Sequence, residues 1–355
     1  MIKNEKKSSK GGAGGLTQAQ MMQKKFEHEN EVIEEELFQF NEAENEKLFK
    51  EKPWRQDPHH FKRVKISATA LIKIVMHARR GGDIEVMGLM QGKVKGDTFY
   101  VMDSFGLPVE GTETRVNAGN EANEYLATHI EFCDKVQRPE NVCGWYHSHP
   151  GYGCWLSGID VGTQTLYQKH QEPFIAIVVD PKRTMSAGKV ELGCFRVFPE
   201  SYIQQMEKQK TGGSGADTMV PADKIGDFGL HANKYYQLEH SFFKSKLDSQ
   251  ILEALWNDYW VQTLSSSPLL NNSEYLTKAI SNIATKMDMV IEGGGGATRT
   301  KGGARQKKHH EEGGVSEDKL GQVEKESTKC CMEMNHGLLV EALKNFMFTS
   351  PPPAE

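Results

Sequence analysis

An α/β domain over about residues 60–200, built on a mixed sheet with helices on both sides, is the fold class this 355-residue sequence predicts. Three observations carry that expectation. Ala70, Leu71, Ile74, Val75 and Ala78 recur at helical spacing. Lys95-Gly96-Asp97 is a tight turn between two apolar runs, the mark of a β-hairpin. Ile175, Ile177 and Val179 alternate with Ala176 and Val178, so that strand is apolar on both faces and central in its sheet.

Taken in order, residues 1–17 are Lys, Ser and Gly and read as a disordered tail. Residues 18–59 read as a polar helical extension with a thin stripe through Phe26, Ile33, Leu37, Phe40 and Leu48. Pro53 and Pro58 end it, with His59 and His60 in solvated linker, and a strand follows through Val64 and Ile66. Ser67 or Thr69 caps the next helix and Gly81-Gly82 stops it. The hairpin runs out through Ile84, Val86, Leu89 and Met90 and back through Phe99 to Met102, with Glu85 near its start. The stretch of about 106–140 begins as a polar loop and ends as a helix around Tyr125 to Val136. A short buried strand then carries Trp145 and Tyr146, and Pro150, Gly151 and Gly153 end it. A helix starts near Ser157, and further strands follow from Phe174.

Residues 201–229 read as a polar loop. C-terminal helices are expected over 230–291. The first of them, about 230–264, has Leu238, Phe242, Leu247, Ile251, Leu255 and Tyr259 at near four-residue spacing. So broad an aromatic stripe calls for another helix or a partner subunit. Residues 292–316 are a Gly-rich linker whose basic run reads as a solvated hinge, and 317–350 a last amphipathic helix with Leu338, Leu339, Leu343 and Phe346.

Composition narrows the class. A net charge of −5 argues against a general nucleic-acid binder, and an apolar content of 37% is low enough to expect exposed segments. No run is apolar enough to span a membrane and MIKNEKKSSKGG has no signal-peptide core, so a cytoplasmic and nuclear location is expected. The six cysteines form no CxxC pair and are expected as reduced thiols.

The chemistry concentrates in GWYHSHPGYGCWLSGID, residues 144–160. Side chains alternate along a strand, so His147 and His149 face one way and Ser148 the other. Asp160 falls in the first turn of the following helix and can swing back toward both imidazoles. Two His and one carboxylate with a fourth corner left to water is a catalytic zinc ligand set. A His-x-His pair alone arises by chance in roughly every second chain of this length, and Ser157-x-x-Asp160 alone could be a capping box. The joint pattern, His-Ser-His-Pro, six residues, Ser, two residues, Asp, is far more specific. It resembles the signature of the JAMM (MPN-type) zinc metalloproteases, with every fixed position filled.

That resemblance implies an MPN-type, cytidine-deaminase-like sheet and one Zn²⁺ with a catalytic water. It implies Glu85 in IEVMGLMQG as the general base and Ser157 as a donor to the oxyanion of the tetrahedral intermediate, in competition with its capping role. Cys154, between the ligands, is not a ligand in the family pattern. Further segments, MDSFGLPVEGTETRVNA, PFIAIVVDP and YWVQTLSSS, resemble the branch of the family that serves the COP-nine signalosome. The implied activity is removal of a ubiquitin-like modifier from cullins, with other subunits joined through the C-terminal helices. In that branch the GTETR segment covers the site, Glu113 taking the water's place on the metal and Arg115 holding the loop shut. A proteasome-lid-type deubiquitinase and a metal-free scaffold stand as alternatives, though scaffolds lack the His pair and Asp that are intact here. A nucleobase deaminase would need a PCxxC ligand pair, which is absent from the sequence.

Overall fold

The computed structural model describes residues 41–109, 120–138, 140–209, 220–245, 248–252, 267, 271–294 and 312–349. The elements are α1 (Glu42–Glu51), β1 (Arg63–Ser67), α2 (Ala68–Gly81), β2 (Met87–Lys95), β3 (Thr98–Gly106), α3 (Asn120–Lys135), β4 (Asn141–Ser148), α4 (Gly158–His170), β5 (Ile175–Val179), α5 (Pro181–Ala187), β6 (Leu192–Val197), α6 (Glu200–Gln209), α7 (Ile225–His231), β7 (Tyr235–Phe243), α8 (Ser273–Gly294) and α9 (Glu312–Thr349).

The strands form one mixed sheet in the order β1-β3-β2-β4-β5-β6-β7, and β7 pairs back onto β1 to close it as a barrel. β2 and β3 are the expected hairpin. β4 and β5 pair in parallel, with α4 as the crossover between them. Ser67 caps α2 by accepting the Ala70 N–H. The sheet is buried on both sides. Ile175, Ile177 and Val179 pack with Ile74 and Ala78 of α2, while Ala176 and Val178 pack with Leu156 and Val161 at the start of α4. Each fully buried isoleucine there contributes on the order of 2–3 kcal/mol.

Two expectations need correcting. The helix expected over about 230–264 is interrupted: residues Tyr235–Phe243 are strand β7, with helical backbone at 230–231 before it and at 248–252 after it. A four-residue spacing such as Leu238 to Phe242 is also a multiple of two, so the pattern fits a strand, and the Tyr-Tyr and Phe-Phe pairs favour the pleated surface. The aromatic stripe down to Phe243 is therefore barrel wall rather than a docking face; its continuation over 253–260 lies outside the described residues. The polar loop expected over 201–229 carries α6 and α7. β7 pairs with both β1 and β6 and so closes the sheet, covering the edges those strands would otherwise expose.

α8 and α9 pack together through Tyr275, Leu276 and Cys330, and Lys286 of α8 forms an ion pair with Glu326 of α9 at 2.6 Å. None of the helices among the described residues is long and apolar enough to cross a membrane.

Candidate metal centre

The site lies where β4 ends. His147 and His149 are 1% and 2% exposed, so both imidazoles are removed from water. Trp145 stacks on His147 with ring centres 4.5 Å apart, and its Nε1–H donates to Gln164 at 2.8 Å, which fixes the indole. Tyr152 stacks on His149 at 4.4 Å, and Trp155 meets that ring edge-on. The two Nε2 atoms stand 3.1 Å apart, and Asp160 Oδ2 lies 3.5 Å from the first and 3.7 Å from the second.

These three side chains are a cluster whose ligand atoms all fall within 4.8 Å of one another. A tetrahedral zinc ion with bonds of about 2.0–2.1 Å separates neighbouring ligand atoms by roughly 3.3 Å. The observed spacings straddle that value, and nitrogen, nitrogen and carboxylate oxygen suit the ion. Two imidazole nitrogens facing each other at hydrogen-bond distance need a proton or a cation between them, so the donor set fits a metal. Burial opposes charge on His147, but Asp160 and, more weakly, Glu85 together outweigh burial and raise its pKa. Burial likewise opposes charge on Asp160, and His147 and His149 overcome it and hold that carboxyl well below the usual range.

Ser157 is the N-cap of α4. Its Oγ–H donates to Asp160 Oδ2 at 2.7 Å and its backbone N–H donates to the same oxygen at 2.8 Å. The capping box read from sequence is present, and the hydroxyl is engaged with the carboxylate that faces the imidazoles.

Glu85 comes from the segment leading into β2. Antiparallel pairing sets Met87 opposite His147. Ser148 then clips the segment twice: its N–H donates to the Val86 carbonyl and its Oγ accepts the Val86 N–H, both at 3.0 Å. Glu85 is thereby held 6% exposed beside the histidines, in a cavity of about 510 Å³ that His147, His149, Ser157 and Asp160 also line. Burial raises its pKa, an effect that His149 and a hydrogen bond from the Tyr152 hydroxyl offset in part.

Cys154 is outside the cluster. Its thiol donates to the Glu191 carbonyl at 3.4 Å, and burial pushes its pKa well up. Glu113 and Arg115 lie outside the described residues. Sequence reasoning missed the Tyr152 hydroxyl, although Tyr152 sits inside the signature stretch, and it missed Asp223, Lys224 and Asp227, which line the same cavity. Lys224 stands 4.4 Å over the Tyr152 ring. Only the arrival of α7 and the helical turn Ala222–Lys224 before it shows Asp223, Lys224 and Asp227 at the site, and the composition of 201–229 carries no signal of it.

Residues 59–173 match the family model described as JAB1/Mov34/MPN/PAD-1 ubiquitin protease, and residues 265–349 match the Cop9 signalosome subunit 5 C-terminal domain. The chain is 47% identical over 335 residues to COP9 signalosome complex subunit 5a of Arabidopsis thaliana, covering 92% of each chain. It is 48% identical over 330 residues to COP9 signalosome complex subunit 5 of Drosophila melanogaster, covering 92% of this chain and 96% of that one.

The chain belongs to the COP9 signalosome subunit 5 family.

Against the Dictyostelium discoideum member the identity is 47% over 328 residues, with 92% of this chain and 95% of the relative covered. The similarity to this family therefore spans the barrel and reaches into the C-terminal helices, where α8 and α9 fall within the second matched segment.

Proposed function

We propose that this chain is a zinc-dependent isopeptidase that removes a ubiquitin-like modifier from cullins as the catalytic subunit of a signalosome. The observation that carries the reading is the convergence of His147, His149 and Asp160 beside a buried Glu85 in one cavity. His147, His149 and Asp160 would hold the ion; when bound, zinc supplies a Lewis acid and acidifies a water toward neutrality.

The chain's own residues supply the rest. Glu85 accepts a proton from the water that attacks the isopeptide carbonyl and delivers it to the departing lysine amine. The Tyr152 hydroxyl orients that carboxylate. Trp145 and Tyr152 keep the imidazoles in place and exclude bulk water. Ser157, at the cavity edge, donates to the oxyanion in exchange for its bond to Asp160. Ser157→Ala is expected to lower kcat roughly a hundredfold while costing about 1 kcal/mol of stability as a lost cap; kinetics alongside thermal melts check both. An unchanged kcat would leave Ser157 as a cap alone.

In this reading the free chain is autoinhibited: Glu113 would take the water's place on the metal and Arg115 would hold the loop shut. Replacing either by Ala raises cleavage by the isolated chain several-fold, and no gain would count against it. Association with other subunits is supported by apolar residues left exposed on the helix pair, among them Ile291, Met332, Leu339 and Phe346.

The deciding experiment offers the complex purified through this chain a cullin carrying the modifier and, separately, ubiquitin chains, with and without a zinc chelator. Chelator-sensitive release from the cullin supports the proposal. Cutting of ubiquitin chains alone favours the deubiquitinase reading, which the matched ubiquitin-protease model keeps open. No cutting by a zinc-loaded complex leaves a scaffold.

A further inference from the structure

Asp180 follows β5 directly and is wholly buried. Its Oδ1 accepts the N–H groups of Lys182 and Arg183 at 3.0 Å each and caps α5. The same oxygen accepts the Gly151 N–H at 2.9 Å, and Oδ2 accepts the Gly153 N–H at 2.9 Å. The Arg183 guanidinium lies 3.3 Å from Oδ2. So dense a set of donors is what a carboxylate needs to be held in a dry interior.

Two of those donors belong to the loop that leaves His149. Gly151 and Gly153 have φ of 90° and 91°, a conformation other residues resist, so the loop needs both glycines and something to hold it. Gly153 then turns back: its carbonyl lies 2.9 Å from His149 Nδ1. A carbonyl only accepts, so Nδ1 carries the hydrogen and the Nε2 lone pair is left facing His147 and Asp160. A hydrogen bond to the far nitrogen is how a ligating histidine is oriented and its tautomer chosen.

We infer that Asp180 is a positioning residue for the metal centre, locking the Gly151–Gly153 loop so that the Gly153 carbonyl fixes the ring and tautomer of His149. The inference rests on the metal reading above. It also ties the ligand loop to α5, where the Ser186 hydroxyl donates to Glu333 of α9 at 2.9 Å.

The test is Zn²⁺ affinity of the full chain, by chelator competition, with thermal melts alongside. Asp180→Asn keeps the shape but loses one acceptor. Asp180→Ser keeps a helix cap but is too short to reach the Gly153 N–H. Both are expected to bind Zn²⁺ roughly 10- to 100-fold more weakly. Ser186→Ala, on the same helix, is the control and should bind like the parent. Affinity within twofold of the parent in both Asp180 variants overturns the inference, as does an equal loss in the Ser186 control. Should neither Asp180 variant fold, hydrogen exchange on the metal-free parent decides. Protected Gly151 and Gly153 amides support a preformed clamp, and exchange at free-peptide rates overturns it. A parent chain that binds no Zn²⁺ sinks the metal reading instead.

Discussion

Glu85→Gln is expected to lower kcat by roughly 10²- to 10⁴-fold with zinc content unchanged, the usual contribution of a positioned proton-transfer group. Glutamine fills the same space and still accepts a bond from the Tyr152 hydroxyl, but it cannot take and return a proton. Steady-state kinetics with metal analysis on the same sample separates this from a structural effect: a variant that loses zinc or retains full kcat would remove Glu85 from the role of base. The substitution has a second consequence of definite sign. Burial raises the folded-state pKa of Glu85 above its unfolded value. In the metal-free chain the carboxyl therefore costs stability once pH rises past the unfolded value of roughly 4.3. The cost reaches its full size above the folded value, and glutamine removes it. Melting of the metal-free variant should equal or exceed that of the parent at neutral pH, the two converging in acid. The residue assigned the proton transfer in the proposed reaction is thus one that the metal-free fold would rather do without.

His149→Ala should abolish metal binding and with it activity, bringing cleavage down to background. In the proposed centre the imidazole supplies one of three ligand atoms, and two remaining ligands from a buried pocket hold an ion poorly. The check with the largest contrast is thermal. Ligand at a thousand times its Kd stabilises a folded protein by about 4 kcal/mol, so the parent should melt several degrees higher with Zn²⁺ than without it. His149→Ala should melt at the same temperature either way. A persisting zinc-dependent shift in that variant would place the ion elsewhere, and the cluster of His147, His149 and Asp160 would then be a proton-linked network only.

What could be read in advance depended on how far apart in the chain the interacting residues stand. His147 and His149 share a face because strand side chains alternate, and Ser157 with Asp160 forms a capping box because an N-cap side chain and the residue three positions on reach each other's backbone N–H. Both are local regularities, visible in seventeen residues. The helix after Ser67 and the hairpin at Lys95-Gly96-Asp97 were legible for the same reason. Residues 235–243 were not, since a four-residue spacing satisfies helix and strand alike and the sheet decided between them. The helices within 201–229 were hidden because a polar composition says nothing about what an element packs against.

The chain's sequence alone thus determined the cluster of His147, His149 and Asp160, the cap that carries Asp160, and the α/β class of the barrel strands and helices. Tertiary structure decided the rest. Pairing of β2 with β4 brought Glu85 to the histidines, β7 closed the sheet between β6 and β1, and Asp180 came under the ligand loop from the end of β5. Those contacts join residues tens of positions apart. They are set by strand register and by the need to satisfy buried polar groups, and neither is written in any short stretch of sequence.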